Sequence, residues 1–317
     1  MSKYVPQVLK DAFPRIASSE AHEKIMVILG TAGSGKTTAV ACLYLTCQAL
    51  SQEQENFFYD VKEITIPIRD FPSKLSMGYF PPQTPPNIIG APLYKSEFQM
   101  KWSDLWGNKL LRLPVCETAG EDMVKAIGRF ERDSYKMITT GQNEAKVITE
   151  YVCKAQSYLA VAPAPRIIAG GKQLEPEPEK LSVDPDVNLA RIFSAIFDYK
   201  KAHHSPNIES IGVLITKCDR IFDWAQAKGM DLSTFEGTQR FMNRFFRDTM
   251  GKLKFYGLEK VRFFPVFVET FKDEHNNPIK RNDGSEIIKV NEETGLPSYS
   301  SRVYVDLIMW AKEFLMK

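Results

Sequence analysis

Gly30-Thr31-Ala32-Gly33-Ser34-Gly35-Lys36-Thr37 follows the apolar run Ile25-Met26-Val27-Ile28-Leu29 and precedes a mostly helix-compatible stretch, Thr38 to Gln52. The pattern G-x-x-x-x-G-K-[ST] between a buried-type strand and a helix is a phosphate-binding loop in its required setting. Glycines let the backbone fold tightly, so that successive amides point inward at phosphate oxygens, and the following helix directs the positive end of its dipole to the same place. On this reading Gly30, Ala32, Gly33, Ser34, Gly35, Lys36, Thr37 and Thr38 form the phosphate side of a nucleotide site. Lys36 reaches the terminal phosphates, and Thr37 ligates Mg²⁺ through its hydroxyl.

The chain of 317 residues exceeds the usual optimum for a single core. It reads as one domain over 1–317, with an N-terminal extension 1–23 and insertions at about 71–94, 170–186 and 271–300. A composition of 44% hydrophobic and 25% charged residues is ordinary for a soluble globular protein. The net charge of +2 argues neither for a nucleic-acid binder nor for an electrostatic membrane anchor. Cys42, Cys47, Cys116, Cys153 and Cys218 are scattered through apolar segments, which fits a reducing compartment and predicts a cytoplasmic location. No apolar stretch is long enough to span a bilayer, and signal-peptide, myristoylation and prenylation patterns are lacking, so no direct membrane anchor is expected.

Asn56 to Asp70 alternates like a strand through Val61, Ile64, Ile66 and Ile68, with Pro67 favouring an edge. Phe80-Pro81-Pro82-Gln83-Thr84-Pro85-Pro86-Asn87 cannot join a sheet interior and reads as a loop or extended segment. Glu97 to Cys116 reads as a hairpin with Gly107-Asn108 at its turn, and its return strand runs into Glu117-Thr118-Ala119-Gly120-Glu121. An acidic residue at the carboxyl end of a buried strand beside a phosphate loop can hold a water of the Mg²⁺ shell, and Gly120 can offer its amide to a γ-phosphate. A helical region from Glu121 to about Gln156 precedes a short buried strand, Tyr158 to Ala162; Val187 to Lys201 is again helical. The buried strand Ile211 to Ile215 leads into Thr216-Lys217-Cys218-Asp219. Helical patterns at Arg220–Lys228 and Ser233–Lys254, a last strand Val261–Val268, a turn at Asn282-Asp283-Gly284 and a closing helix Ser301–Met316 complete the chain. Strands alternating with helices predict an α/β sheet with helices for both faces.

With its phosphate loop, Glu-Thr-Ala-Gly string and Thr-Lys-x-Asp string in this order, the sequence resembles the Ras-like (TRAFAC-class) P-loop GTPases, and within them Arf-like proteins, the β subunit of the signal-recognition-particle receptor and prokaryotic small G domains. The resemblance implies a three-layer P-loop NTPase fold (a Ras-like G domain), with a mostly parallel sheet, one antiparallel hairpin strand and helices on both faces. It implies GTP/GDP and Mg²⁺ as cofactors, and a GTP-hydrolysing molecular switch. It also implies that Asp219 accepts hydrogen bonds from the guanine N1 and N2 groups and that Lys217 lies over the base, beside Thr216. A carboxylate in a dry base pocket suits guanine's two donors and not adenine's pattern.

Thr216 stands where the family most often carries Asn, Glu117 where it carries Asp, and Glu121 where many members carry the Gln that orients the attacking water. The family's switch threonine is assigned to Thr84. Mg²⁺ is thus expected at Thr37, Glu117 and Thr84, and the catalytic candidates are Lys36, Gly120 and Glu121. The expected partners are a guanine nucleotide and a protein effector or activating partner, with no nucleic acid; the insertions are candidates to meet the protein partner. The alternatives are a P-loop ATPase or nucleotide kinase with an accidental Thr216–Asp219 string, and a nucleotide-binding scaffold without hydrolysis.

Overall fold

Strand β1, His22–Gly30, sends Met26 and Ile28 to one hydrophobic cluster and Val27 and Leu29 to another, and all four are buried. A strand covered on both faces belongs in the middle of a layered α/β structure. The computed structural model describes residues 22–30, 33–63, 69–81, 95–104, 107–116, 155–167, 174–175, 184–202, 207–258, 261–274 and 278–316. Besides β1, the main sheet contains β2 (Phe57–Glu63), β3 (Lys95–Asp104), β4 (Gly107–Cys116), β5 (Ser157–Pro163), β8 (Ser210–Thr216) and β9 (Val261–Pro265). The two-residue strands β6 (Arg166–Ile167) and β7 (Leu174–Glu175) pair separately.

The main sheet has the order β2-β3-β4-β1-β5-β8-β9. Neighbours from β4 through β9 are parallel, while β3 pairs antiparallel with both β2 and β4 and is the one strand of this sheet that runs against the others. Helices cover both faces. On one lie α1 (Lys36–Glu53), α2 (Asp70–Ser76) and α7 (Ser301–Met316); on the other, α3 (Pro185–Ala202), α4 (Phe222–Ala227), α5 (Phe235–Phe245) and α6 (Arg247–Phe255). This is the expected three-layer α/β arrangement. Its two cores are filled by side chains such as Leu75, Phe98 and Leu111 on one side and Phe193, Phe241 and Val213 on the other, each worth about 2–3 kcal/mol in burial.

The register sets the height of the strand ends. Gly30 lies level with Val161 of β5, which lies level with Leu214 of β8. Strand β8 therefore continues two residues past the end of β1, and Thr216 stands above the point where the chain leaves Gly30.

Several elements differ from their expected form. Of the strand expected over Asn56–Asp70, β2 holds Phe57–Glu63, residues 64–68 lie outside the described ones, and Asp70 opens α2, where Pro72 falls in the first turn and loses no helical hydrogen bond. Gly107 and Asn108 are not the hairpin turn but the first residues of β4, opposite Asp104 and Ser103. Pro185 and Asp186, grouped by composition with a solvated insertion, are the buried first turn of α3. The Asp186 carboxylate accepts the backbone amides of Asp248 and Thr249, 2.9 and 2.8 Å away, and so caps α6 from another helix. The helix expected over Ser233–Lys254 breaks at Phe246, whose buried ring fixes a non-helical backbone of φ −127° and ψ 49°.

Candidate functional site

The phosphate loop leaves β1 at Gly30 and enters α1 at Lys36. Gly33 and Gly35 hold left-handed backbones, φ 74° and 82°, and Gly35 is the N-cap of α1. A side chain at Gly35 would carry strain of about 1–2 kcal/mol and would sit 3.1 Å from the Thr216 hydroxyl. At Gly30 the constraint is space, since a Cβ there would lie 2.8 Å from Ser34 Oγ and 3.0 Å from the Val161 carbonyl. The first amides of a helix have no intrahelical partners. The first turn of α1 carries no acidic side chain, so its positive dipole end is not neutralised from within the helix. Lys36 is buried, and its Nζ donates to the Gly30 carbonyl at 3.2 Å, which folds the ammonium back across the loop. Thr37 and Thr38 follow on the first turn, both half-buried.

The end of β8 is bonded to this loop. Thr216 Oγ1 donates to the Ser34 carbonyl at 2.6 Å, across 182 residues of sequence, and lies 3.4 Å from the Ala162 carbonyl. Lys217 then takes φ 60° and ψ 27°, the one non-glycine positive φ among the described residues. Such a conformation costs of order 1 kcal/mol and persists only where neighbours enforce it. The enforcing neighbour is Cys218, which is fully buried, donates its amide to the Val266 carbonyl at 3.2 Å and its thiol to the Ile215 carbonyl at 3.1 Å. Burial pushes that thiol far above its ordinary range, so Cys218 acts as an inert anchor.

Asp219 follows the anchor. Loss of solvent raises its carboxyl above the ordinary aspartate value, opposed by the charges of Arg220 and Lys272, while Glu286 adds to the rise. Lys272 Nζ donates to the Asp219 carbonyl at 3.4 Å, and Arg220 pairs with Glu286 at 3.1 Å. Both partners come from the segment between β9 and α7, which isolated bridges fold on itself, Val268 with Tyr299, Thr270 with Ile288 and Lys280 with Glu286. Asn282-Asp283-Gly284 does turn there, with the Asp283 carboxylate accepting the Ser285 amide and hydroxyl and Gly284 at φ 82°.

Of the residues named from sequence, Gly30, Gly33, Ser34, Gly35, Lys36, Thr37 and Thr38 form one loop, Thr216 is bonded to it, and Lys217 and Asp219 continue from Thr216. Ala32, Thr84, Glu117, Gly120 and Glu121 lie outside the described residues. Lys272 and Glu286 escaped the sequence reading. They stand 53 and 66 residues from their partners in a stretch whose polarity signals only solvent contact. Among the described residues no helix is long and apolar enough to cross a membrane.

No protein-family model matches the chain, and no curated protein matches it. Among solved structures it is similar to a nucleolar GTP-binding protein 1 from Plasmodium falciparum, at 9% identity over 79% of each chain and a TM-score of 0.31. A likeness that weak decides neither fold nor function, which rest on the chain's own strand order and loop geometry.

Proposed function

We propose that the chain binds a guanine nucleotide together with Mg²⁺ and hydrolyses GTP as a molecular switch. The observation that carries this reading is the 2.6 Å hydrogen bond from Thr216 to the Ser34 carbonyl. It joins a loop suited to phosphates to a segment that presents a desolvated carboxylate three residues later, so that one ligand with a phosphate end and a donor-bearing base end can engage both. The amides of residues 33–38 and Lys36 hold the phosphates, Lys217 covers the base, and Asp219 accepts guanine's N1–H and N2–H. Adenine offers an acceptor at N1 and would leave Asp219 facing a lone pair, which supports discrimination of about 100-fold or more.

The glycine cradle and the Thr37 hydroxyl at the start of α1 fit a nucleotide-bound Mg²⁺, and that ion supplies charge neutralisation at the terminal phosphates when bound. Hydrolysis is assigned on the sequence resemblance to Lys36, Gly120 and Glu121, with Glu117 and Thr84 toward the metal. Apart from Lys36, these residues lie outside the described ones. The test is titration of fluorescent GDP and ADP with Mg²⁺ against the wild type and Asp219→Asn. GDP is expected to bind at least about 100-fold more tightly than ADP, with Asp219→Asn shifting preference toward xanthine nucleotide. Equal binding, or preference for ADP, would sink the guanine reading in favour of an ATPase or nucleotide kinase. Single-turnover GTP hydrolysis separates a switch from a non-hydrolysing scaffold.

A further inference from the structure

The cations beside Asp219 create a problem for a carboxylate that is to read a base. Arg220 and Lys272 both act on it electrostatically, and an arginine fork can occupy both oxygens of a carboxylate by itself. Each is instead directed to another acceptor. Arg220 Nη2 donates to Glu286 Oε1 at 3.1 Å, and Lys272 Nζ donates to the backbone carbonyl of Asp219 at 3.4 Å. Glu286 is itself held from a distance. It is bridged to Lys280 across the turn 281–285, and on that turn Arg281 donates to the Gly78 carbonyl at 3.0 Å and lies 3.7 Å from the centre of the Tyr79 ring. This acceptor for Arg220 therefore belongs to a turn that is anchored to the residues following α2.

We infer that Glu286 is a specificity-determining positioning residue: by engaging Arg220 it keeps the Asp219 carboxylate open to the paired N–H donors of a guanine edge. This rests on the guanine-nucleotide reading of the site. Without Glu286, the guanidinium one residue away becomes an internal competitor for the same carboxylate. Competition at the base end weakens guanine nucleotides and spares ligands held by their phosphates alone, so the signature is lost discrimination and not a general loss of binding.

The experiment measures GDP and ADP affinity with fluorescent analogues and Mg²⁺ for the wild type, Glu286→Gln, Arg220→Ala and the double variant. Glu286→Gln is expected to weaken GDP about fivefold while ADP stays within about twofold, in keeping with a half-exposed ion pair. Arg220→Ala should keep the wild-type preference within about twofold, and adding it to Glu286→Gln should recover that preference, because the competitor is gone. A merely structural role for Glu286 predicts no such recovery. A wild type without guanine preference overturns the guanine reading and this inference with it. Guanine preference that survives Glu286→Gln, or that the double variant fails to recover, overturns the inference alone. Should Glu286→Gln fail to fold, a fivefold loss of preference in Arg220→Ala is by itself enough to overturn it.

Discussion

The two halves of the proposed nucleotide site are built in opposite ways. The phosphate half is one uninterrupted octapeptide in sequence, Gly30 to Thr37, and its described residues include the left-handed Gly33 and Gly35 at a strand-to-helix junction. The base half starts as a tetrapeptide, Thr216 to Asp219, but three of its four residues, and Arg220 after them, are bonded to remote partners. Thr216 is fixed by Ser34, Cys218 by Val266, the Asp219 carbonyl by Lys272 and Arg220 by Glu286. A loop closed by its own backbone tolerates change around it, whereas a loop held by distant side chains inherits the fate of every holder.

That contrast can be broken most severely from the phosphate side. Lys36→Ala removes the one buried ammonium of the phosphate loop, and nucleotide affinity by titration calorimetry should fall at least about 100-fold with little change of base preference. A loss confined to guanine nucleotides would mean that the halves are not separable as described. Thr216→Val tests the junction. It leaves the buried Ser34 carbonyl without its donor at a cost of about 1–2 kcal/mol, so the melting temperature and GDP affinity should drop together, while Thr216→Ser retains both. If Val and Ser behave alike, the 2.6 Å bond does not couple the halves.

The smallest effect concerns pH and sets Asp219 against Glu97. Glu97 is buried on β3; burial alone would raise its carboxyl, but hydrogen bonds from Arg112, 2.9 and 2.6 Å, and from Gln99, 2.7 Å, hold it below the ordinary glutamate value. Its stabilisation is therefore complete above about pH 4.5 and is lost as pH falls through the lower folded value. Asp219, raised by burial, has the opposite sign: its ionised form opposes folding, and that penalty is relieved as pH falls through its raised folded value. Thermal unfolding from pH 7 to 3 should show Arg112→Met flattening the acid loss of stability and Asp219→Asn steepening it. The same direction of change in both would contradict the assignment.

Much of the architecture was legible in the residues. The alternation of buried strands with amphipathic helices led to a layered, mostly parallel sheet, and the closing helix is found at Ser301–Met316 as its periodicity indicated. What escaped were features where a side chain serves an element far along the chain. Asp186 reads as polar surface beside Pro185, yet it is buried because α6 presents two unpaired amides to it. Phe246 carries no breaker chemistry, and its break in the helix comes from packing in the core. Gly107-Asn108 has turn composition, but strand pairing drew both residues into β4.

By itself the sequence determined whatever depends on near neighbours: the glycine-shaped loop, the side-chain periods of strand and helix, and the identity of an acid three residues after a buried strand's threonine. Only the tertiary structure decided which strand end stands above which loop, that Thr216 reaches Ser34, and that Arg220 bonds to Glu286 and Lys272 to the backbone carbonyl of Asp219. The physical reason is range. Backbone conformation and amphipathicity act over a turn or a strand, whereas hydrogen bonds and ion pairs depend on distances that exist only once the sheet register has brought residues 34, 216, 272 and 286 together.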